Sequence, residues 1–247
     1  VTMIDASRWF ETFLPCDHNY YLFAKVPYKK EVFFAAAKDI DRVLVARQRR
    51  KRKLLILDLD NTLWGGEIGD AGSEGIRLGG HDALGEAFQE FQREIKRLQN
   101  RGILLAIVSK NTEEIALDAI KSHPEMVLVE SDFVAMRINW KPKDENILSL
   151  LSELNLGADA AVFLDDSPYE RTWVSNNLPD IYIPDLPSNP LKYPHFFNEI
   201  FAFDTFEVTS EDLKRTELYQ QESKRQHLNR TLNVDRSSFI RALEITV

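Results

Sequence analysis

Two aspartates, Asp58 and Asp60, stand two positions apart where the aliphatic run Leu54-Leu55-Ile56-Leu57 gives way to Asn61, Thr62, Trp64, Gly65 and Gly66. On a strand, residues two apart share a face, so both carboxylates would leave the carboxyl end of a buried strand side by side. Neighbouring negative charges raise each other's pKa unless a cation or a proton offsets them. The pattern therefore predicts a hard-cation site in which one aspartate stays free for chemistry. A lone aspartate here would read as a turn cap; D-x-D-x-T after four aliphatics reads as a site.

Other residue types that phosphoryl chemistry requires recur at predicted strand ends. One carboxylate can attack phosphorus and form an acyl phosphate, and a second, two residues on, can protonate the leaving oxygen and then deprotonate water. Magnesium favours an oxygen-rich octahedron with one or two carboxylates, which Asp58, the backbone carbonyl of Asp60, and Asp165 or Asp166 could supply. Ser109 and a lysine of Asn139-Trp140-Lys141-Pro142-Lys143 are suited to hold phosphoryl oxygens and balance developing charge. Each residue is weak alone, since a serine after a strand is usually a cap and a lysine in a proline loop is usually solvated.

The elements that must position these residues alternate. Buried strands are predicted at 54–59, 103–108 and 160–164, with a short one at Met126-Val127-Leu128-Val129. Helices are predicted at about 83–100, ended by Gly102 as a C-terminal cap, at 113–122, and at 144–155. A further helical pattern runs from about Pro27 through Val43 and is expected to pack on the sheet edge. A charged terminal helix runs from Ser210, its expected N-cap, to about Asn229. Apolar, unalternating strands between helices indicate an α/β, doubly wound (Rossmann-like) parallel sheet. Ligands bind such a sheet at the carboxyl ends of its strands, where Asp58, Asp60, Ser109, Asp165 and Asp166 all fall.

Composition narrows the class further. With 39 acidic and 31 basic residues and a formal net charge of −8, the chain offers no general electrostatic case for nucleic acid or an anionic membrane. A basic run, Arg47, Arg49, Arg50, Lys51, Arg52 and Lys53, reads as a solvated helix end or as a docking patch for an acidic partner. The single cysteine, Cys16, excludes an internal disulfide framework. It reads as an ordinary buried thiol before it reads as a thioester relay. No apolar stretch nears membrane-spanning length and the start carries no signal-peptide pattern, so the expectation is a soluble, cytoplasmic protein. The opening Val1 and the strand-like Ile245-Thr246-Val247 suggest a piece of a longer polypeptide.

Taken together, the motifs resemble those of the haloacid dehalogenase superfamily over about residues 54–177: Asp58-Leu59-Asp60-Asn61-Thr62, Ser109, a lysine near Trp140, and Asp165-Asp166. More narrowly, Leu57 to Gly66, Val108-Ser109-Lys110-Asn111, Asn139 to Lys143, Phe163 to Arg171 and Arg215 to Tyr219 resemble the FkbH-like subgroup. What the resemblance implies is a haloacid dehalogenase fold, here with only a small flap and no large cap domain. It implies a phosphatase and glyceryl transferase that works through a phosphoaspartate with Mg2+. It implies as substrate the three-carbon acyl phosphate 1,3-bisphosphoglycerate, and as partner the phosphopantetheine arm of an acyl carrier protein in polyketide biosynthesis, and it is compatible with a place within a larger polyketide synthase polypeptide.

Carried over residue by residue, Asp58 would be nucleophile and metal ligand, Asp60 acid/base and metal ligand, Ser109 the phosphate holder, and Asp165 and Asp166 the metal acids. The general Lys-Pro pattern favours Lys141 as the phosphate lysine, whereas the subgroup's Trp-x-x-Lys spacing favours Lys143, which is preferred. Asn61, Thr62, Trp64, Gly65, Lys110, Asn111 and Ser167 would contact substrate. One departure is Asp166-Ser167-Pro168 where the subgroup commonly has Asp-Asp-Asn-Pro; serine can still turn the chain.

Only the Gly-rich stretch 64–82 follows the first motif, and about thirty residues of ordinary strand and helix pattern separate Ser109 from Lys141. The cleft should therefore be open, as suits a carrier-protein arm. His81, within the Gly-rich stretch, is the histidine best placed to face it, although it reads as a turn-surface histidine first. The expected organisation is an N-terminal extension (1–46), a catalytic core (47–205), and a C-terminal helix with the start of a following segment (206–247). Two other readings are a plain Mg-dependent phosphatase for a phosphoprotein or small phosphate ester, and a non-catalytic docking domain.

Overall fold

The computed structural model describes residues 4, 6–10, 16–48, 52–72, 75–80, 82–198, 200, 202–205 and 208–232. Arg49, Arg50, Lys51, His81 and residues 245–247 lie outside them, and the side chain of Arg47 likewise. The chain divides into two units, residues 1–50 with 204–206 and residues 51–203 with 207–247.

In the first unit, α1 (His18–Ala24) begins at Asp17, whose carboxylate accepts the Asn19 N–H at 2.8 Å. It ends at Lys25 in left-handed backbone, φ 58°. The longer α2 (Lys30–Gln48) follows. The Trp9 indole donates to Asp39 at 2.8 Å, and Arg42 pairs with Asp204 at 3.0 Å. Cys16, bridged through its backbone to Tyr28, is exposed. This corrects the expectation of a buried thiol, and the reason is local: α1 buries none of its residues, so the segment beside it has no core to enter.

The second unit is built on four parallel strands. β1 (Leu54–Leu57) is followed by a one-turn α3 (Ile68–Ala71), α4 (Ala83–Asn100), β2 (Leu104–Ser109), α5 (Glu113–Ser122), β3 (Phe133–Ile138), α6 (Lys143–Glu153), β4 (Ala161–Leu164), α7 (Pro168–Asn177) and α8 (Ser210–Leu232). The sheet order is β3-β2-β1-β4, with Leu54 opposite both Leu104 and Ala161. Because side chains alternate along a strand, Leu55 and Leu57 enter one core with Phe91, Ile95, Ala116 and Phe196. Leu54 and Ile56 enter the other, with Ile147, Leu150 and Val174. Every β1 side chain is fully buried, each worth about 1.5–3 kcal/mol, so the strand that carries Asp58 is held on both faces.

Two predicted features moved. Residues 126–129 form no strand; the Val127 and Leu128 N–H groups donate to Gln92 Oε1 at 3.0 and 3.2 Å, a side chain taking the bonds a ladder would need. The strand is instead β3 at 133–138, whose Met136 and Arg137 are half-exposed at the sheet edge. The cap of α8 is Thr209, not Ser210: Thr209 Oγ1 accepts the Asp212 N–H at 3.1 Å and Asp212 accepts the Thr209 N–H at 2.9 Å. Gly102 behaves as predicted, ending α4 at φ 89°, where an added Cβ would also fall 2.1 Å from the Asp212 carbonyl oxygen. The Gly-rich stretch forms a small flap, tied by Gly65 and Arg77 donating to each other's carbonyls at 3.0 and 2.8 Å. Among the described residues no helix is long and apolar enough to cross a membrane.

Candidate active site

Asp58 is the first residue beyond β1, and its N–H donates to Leu164 O at the end of β4 at 3.0 Å. The chain then turns tightly: Thr62 and Leu63 N–H both donate to Leu59 O, and Asn61 takes left-handed backbone, φ 54°. Asparagine tolerates that region because its short amide hydrogen-bonds locally, here accepting the Gly66 N–H at 2.9 Å. Tyr193 closes the turn from outside by donating its hydroxyl to Asn61 O at 3.1 Å. Burial, and the Asp166 charge behind it, push the Tyr193 phenol up, so it remains a donor.

Lys143, the first residue of α6, points inward and is buried. Its ammonium lies 2.9 Å from Asp58 Oδ2 and 2.5 Å from Asp165 Oδ2. Burial alone would lower the Lys143 pKa, but the two carboxylates more than offset it and hold the group above its ordinary value. The loop that presents it is clamped by Asn139 and Asn146, which exchange side-chain hydrogen bonds at 3.3 and 2.9 Å. Lys141 is exposed, and its N–H donates to Asn139 at 3.0 Å. The structure thus brings Lys143 to the aspartates and leaves Lys141 in solvent.

Asp58, Asp165 and Asp166 each offer a carboxylate oxygen within 4.8 Å of the others. Asp58 Oδ1 is buried and has no hydrogen-bond partner, an expensive state for a carboxylate oxygen unless something not in the polypeptide meets it. Burial first, then the Asp58 charge, push the Asp165 carboxyl up to about 7 and raise that of Asp166. A divalent ion would relieve all three at once. The residues present therefore fit a magnesium-type, all-oxygen site. Asp165 is fully buried, with Lys143 on Oδ2 and the Ser167 N–H on Oδ1 at 2.9 Å, whereas Asp166 lines the cleft. Arg171 donates to the backbone carbonyls of Asp165 and Asp166 at 2.9 and 2.7 Å, fixing the turn that aims them.

Asp60 also lines the cleft, but its carboxylate stands apart from that cluster, held by three N–H donors: Trp64 Nε1 at 2.9 Å, Ile68 N at 3.1 Å, and Asn111 Nδ2 at 3.0 Å. Asn111 Nδ2 also reaches Ser109 Oγ at 3.3 Å, so the ends of β1 and β2 are joined through one amide. Ser109 is buried.

Several expected substrate contacts are corrected. Trp64 is fully buried and serves Asp60. Thr62 is fully buried with its hydroxyl unpartnered. Gly65 packs under the flap, where a Cβ would meet the Phe88 ring at 2.8 Å. In each case the tight turn after Asp58 folds the motif's second half back into the core. Asn61, Lys110, Asn111 and Ser167 do line the cleft, which has a volume of about 600 Å3 and is walled also by Glu67, Trp140 and Pro168. Trp140 is 72% exposed, so the mouth is open. Asn139, Asn146, Arg171 and Tyr193 escaped sequence reading; the Asn residues flanking the lysine loop were a usable signal, while Tyr193, 132 positions from Asn61, left none.

Among solved structures, the chain is similar to the N-terminal part of the protein BF1531 from Bacteroides fragilis, which contains a phosphatase domain and is complexed with Mg. The two are 37% identical with a TM-score of 0.71, over 81% of this chain and 53% of the other. The fold is of the haloacid dehalogenase type. Of the flap, Glu67 and Gly69 stand in the cleft wall, and the described residues contain no cap domain. The chain spans about half the length of that neighbour. Hypothetical protein XCC2798 from Xanthomonas campestris, 16% identical over 78% of this chain and 92% of its own with a TM-score of 0.36, is too distant to argue from. No family model matches the chain, and no curated protein matches it.

Proposed function

We propose that this chain is a magnesium-dependent phosphatase whose nucleophile is Asp58. The observation that carries the reading is the buried, unpartnered Asp58 Oδ1 beside Asp165 and Asp166. Magnesium complexed with the similar phosphatase domain of BF1531 supports it. Asp58 and Asp166 would hold the ion, with Asp165 behind them and the Asp60 backbone carbonyl as a further ligand; bound there, it supplies charge neutralisation for the phosphoryl oxygens.

The chain's own residues do the rest. An Asp58 carboxylate oxygen attacks phosphorus as the bond to the leaving oxygen breaks, and Asp60 delivers a proton to that oxygen. Asp60 then takes a proton from water, whose oxygen attacks the phosphoaspartate, releasing phosphate and restoring Asp58. Lys143, already on Asp58, neutralises charge that develops on the phosphoryl group.

The finer reading rests on the motif resemblance to the FkbH-like subgroup and on the open cleft. In it the substrate is a three-carbon acyl phosphate such as 1,3-bisphosphoglycerate: Asp58 takes the phosphoryl group of the 3-phosphate ester, and the phosphopantetheine thiol of an acyl carrier protein attacks the acyl carbon, giving up its proton as the 1-phosphate leaves and a glyceryl thioester forms. An open mouth beside exposed Trp140 accommodates a tethered arm without a closing cap. Hydrolysis of p-nitrophenyl phosphate that requires Mg2+ and is abolished by Asp58→Asn tests the phosphatase reading. Mass spectrometry of a carrier protein incubated with this chain and the acyl phosphate tests the loading: a glyceryl mass shift supports it, and free glycerate or phosphate without one leaves a plain phosphatase.

A further inference from the structure

We infer that Lys110 is a specificity residue that selects substrates carrying a second anionic group, apart from the phosphoryl group that Asp58 attacks; this rests on the phosphatase reading above. The cleft of about 600 Å3 has room for roughly twenty waters at about 30 Å3 each, far more than a phosphoryl group fills. Of the residues lining it, Asp58, Asp60, Glu67 and Asp166 are acidic and Lys110 alone is basic.

The chain places two ammonium groups at this site in different states. Lys143 is buried and engaged by both Asp58 and Asp165, so it belongs to the phosphoryl end. Lys110 follows Ser109 at the end of β2, where the serine turns into the core and the lysine faces the cleft. Its one partner among the described residues is Glu170, at 2.5 Å.

The geometry of that pair matters. The Lys110 side chain is 35% exposed and that of Glu170 11%, so a molecule in the cleft meets the ammonium and not the carboxylate behind it. An ammonium has three donors, of which Glu170 takes one. Glu170, on α7, restrains a long side chain that would otherwise lose entropy on binding. A carboxylate or second phosphate on the substrate can then accept from a lysine already in place, in a wall that otherwise repels it.

The test compares two phosphate esters that differ by one charge, phosphoglycolate and phosphoglycolamide, with the full chain and Mg2+. The unaltered protein is expected to favour phosphoglycolate in kcat/KM by roughly ten- to a hundredfold, the scale of one hydrogen bond to a charged group. Lys110→Met should erase most of that preference through KM, and Lys110→Arg should restore a good part of it. Equal use of the two esters by the unaltered protein would overturn the inference, as would a Lys110→Met loss of the same size on both. Failure to hydrolyse even p-nitrophenyl phosphate would sink the phosphatase reading and this inference with it, and so is distinguishable from either result.

Discussion

The carboxyl end of the sheet and the N-terminal unit treat their side chains in opposite ways. At the sheet end, polar groups are buried and nearly all engaged: Lys143 serves two aspartates, Asp60 has three donors, and Asn111 ties two strand ends together. In the N-terminal unit it is apolar groups that are out of place by the usual rule, with Phe23 91% and Phe34 69% exposed. The difference teaches where rigidity is being spent. A buried, fully engaged polar network is costly to disturb at any point, whereas an exposed aromatic side chain can change with little consequence for the chain's own fold.

That contrast can be broken by substitution. The largest effect should come from Asp58→Asn, which removes the nucleophile: turnover of p-nitrophenyl phosphate is expected to fall by roughly 10^4-fold or more, measured at saturating Mg2+. Lys143→Met comes next, because it leaves Asp58 and Asp165 facing each other without a cation. A loss of about 3–5 kcal/mol in urea unfolding is expected, partly recovered by added Mg2+, and turnover should collapse with it.

Proton competition sharpens the comparison further. The Asp165 carboxyl, ordinarily near 3.8, is pushed up to about 7. Between those values the native state keeps a proton that the unfolded chain has lost, so this group favours folding at low pH and that contribution declines as pH rises through the window. A divalent ion held on Asp58 and Asp166 beside it would favour the ionised Asp165 carboxyl. Magnesium affinity is therefore expected to weaken as pH falls below about 7, and calorimetry in two buffers of different ionisation enthalpy should register proton release on binding. A pH-independent affinity would show that Asp165 stays ionised without the metal.

A smaller effect is expected from Trp64→Phe, which deletes one donor to Asp60 while keeping an aromatic ring in the core. Loss of one such bond corresponds to roughly 1–3 kcal/mol, and it should appear in kcat more than in KM. The smallest should be Phe23→Ser in the N-terminal unit, within about 0.5 kcal/mol of the parent in thermal unfolding and without effect on turnover. A large loss there would mean that this surface is covered in solution.

How much of this was legible beforehand depended on whether a residue's neighbours in sequence were also its neighbours in space. The aliphatic run before Asp58, the glycine ending α4 and the helix at 113–122 follow from local pattern alone. The strand β3 did not, because an edge position lets Arg137 sit where apolar periodicity is sought, and because Met126 to Val129 imitates a strand while spending its N–H groups on Gln92. At the site, the aspartates could be found from type and spacing, which left Lys141 and Lys143 both open; the preference for Lys143 came from the resemblance. Trp64 and Thr62 could not be told from substrate contacts, since only the turn at Asn61 reveals that they fold inward. Arg171 and Tyr193 act through backbone carbonyls, a use that side-chain chemistry does not advertise.

The hydroxyl of Tyr193 on the Asn61 carbonyl makes the nucleophile turn answerable to a segment far downstream. That segment is itself part of the core, since Leu186, Tyr193, Phe196 and Phe203 pack with the Leu55 and Leu57 side chains of β1. A change that loosens this packing would therefore also slacken the loop that presents Asp58, so one downstream stretch ties the stability of the molecule to its turnover.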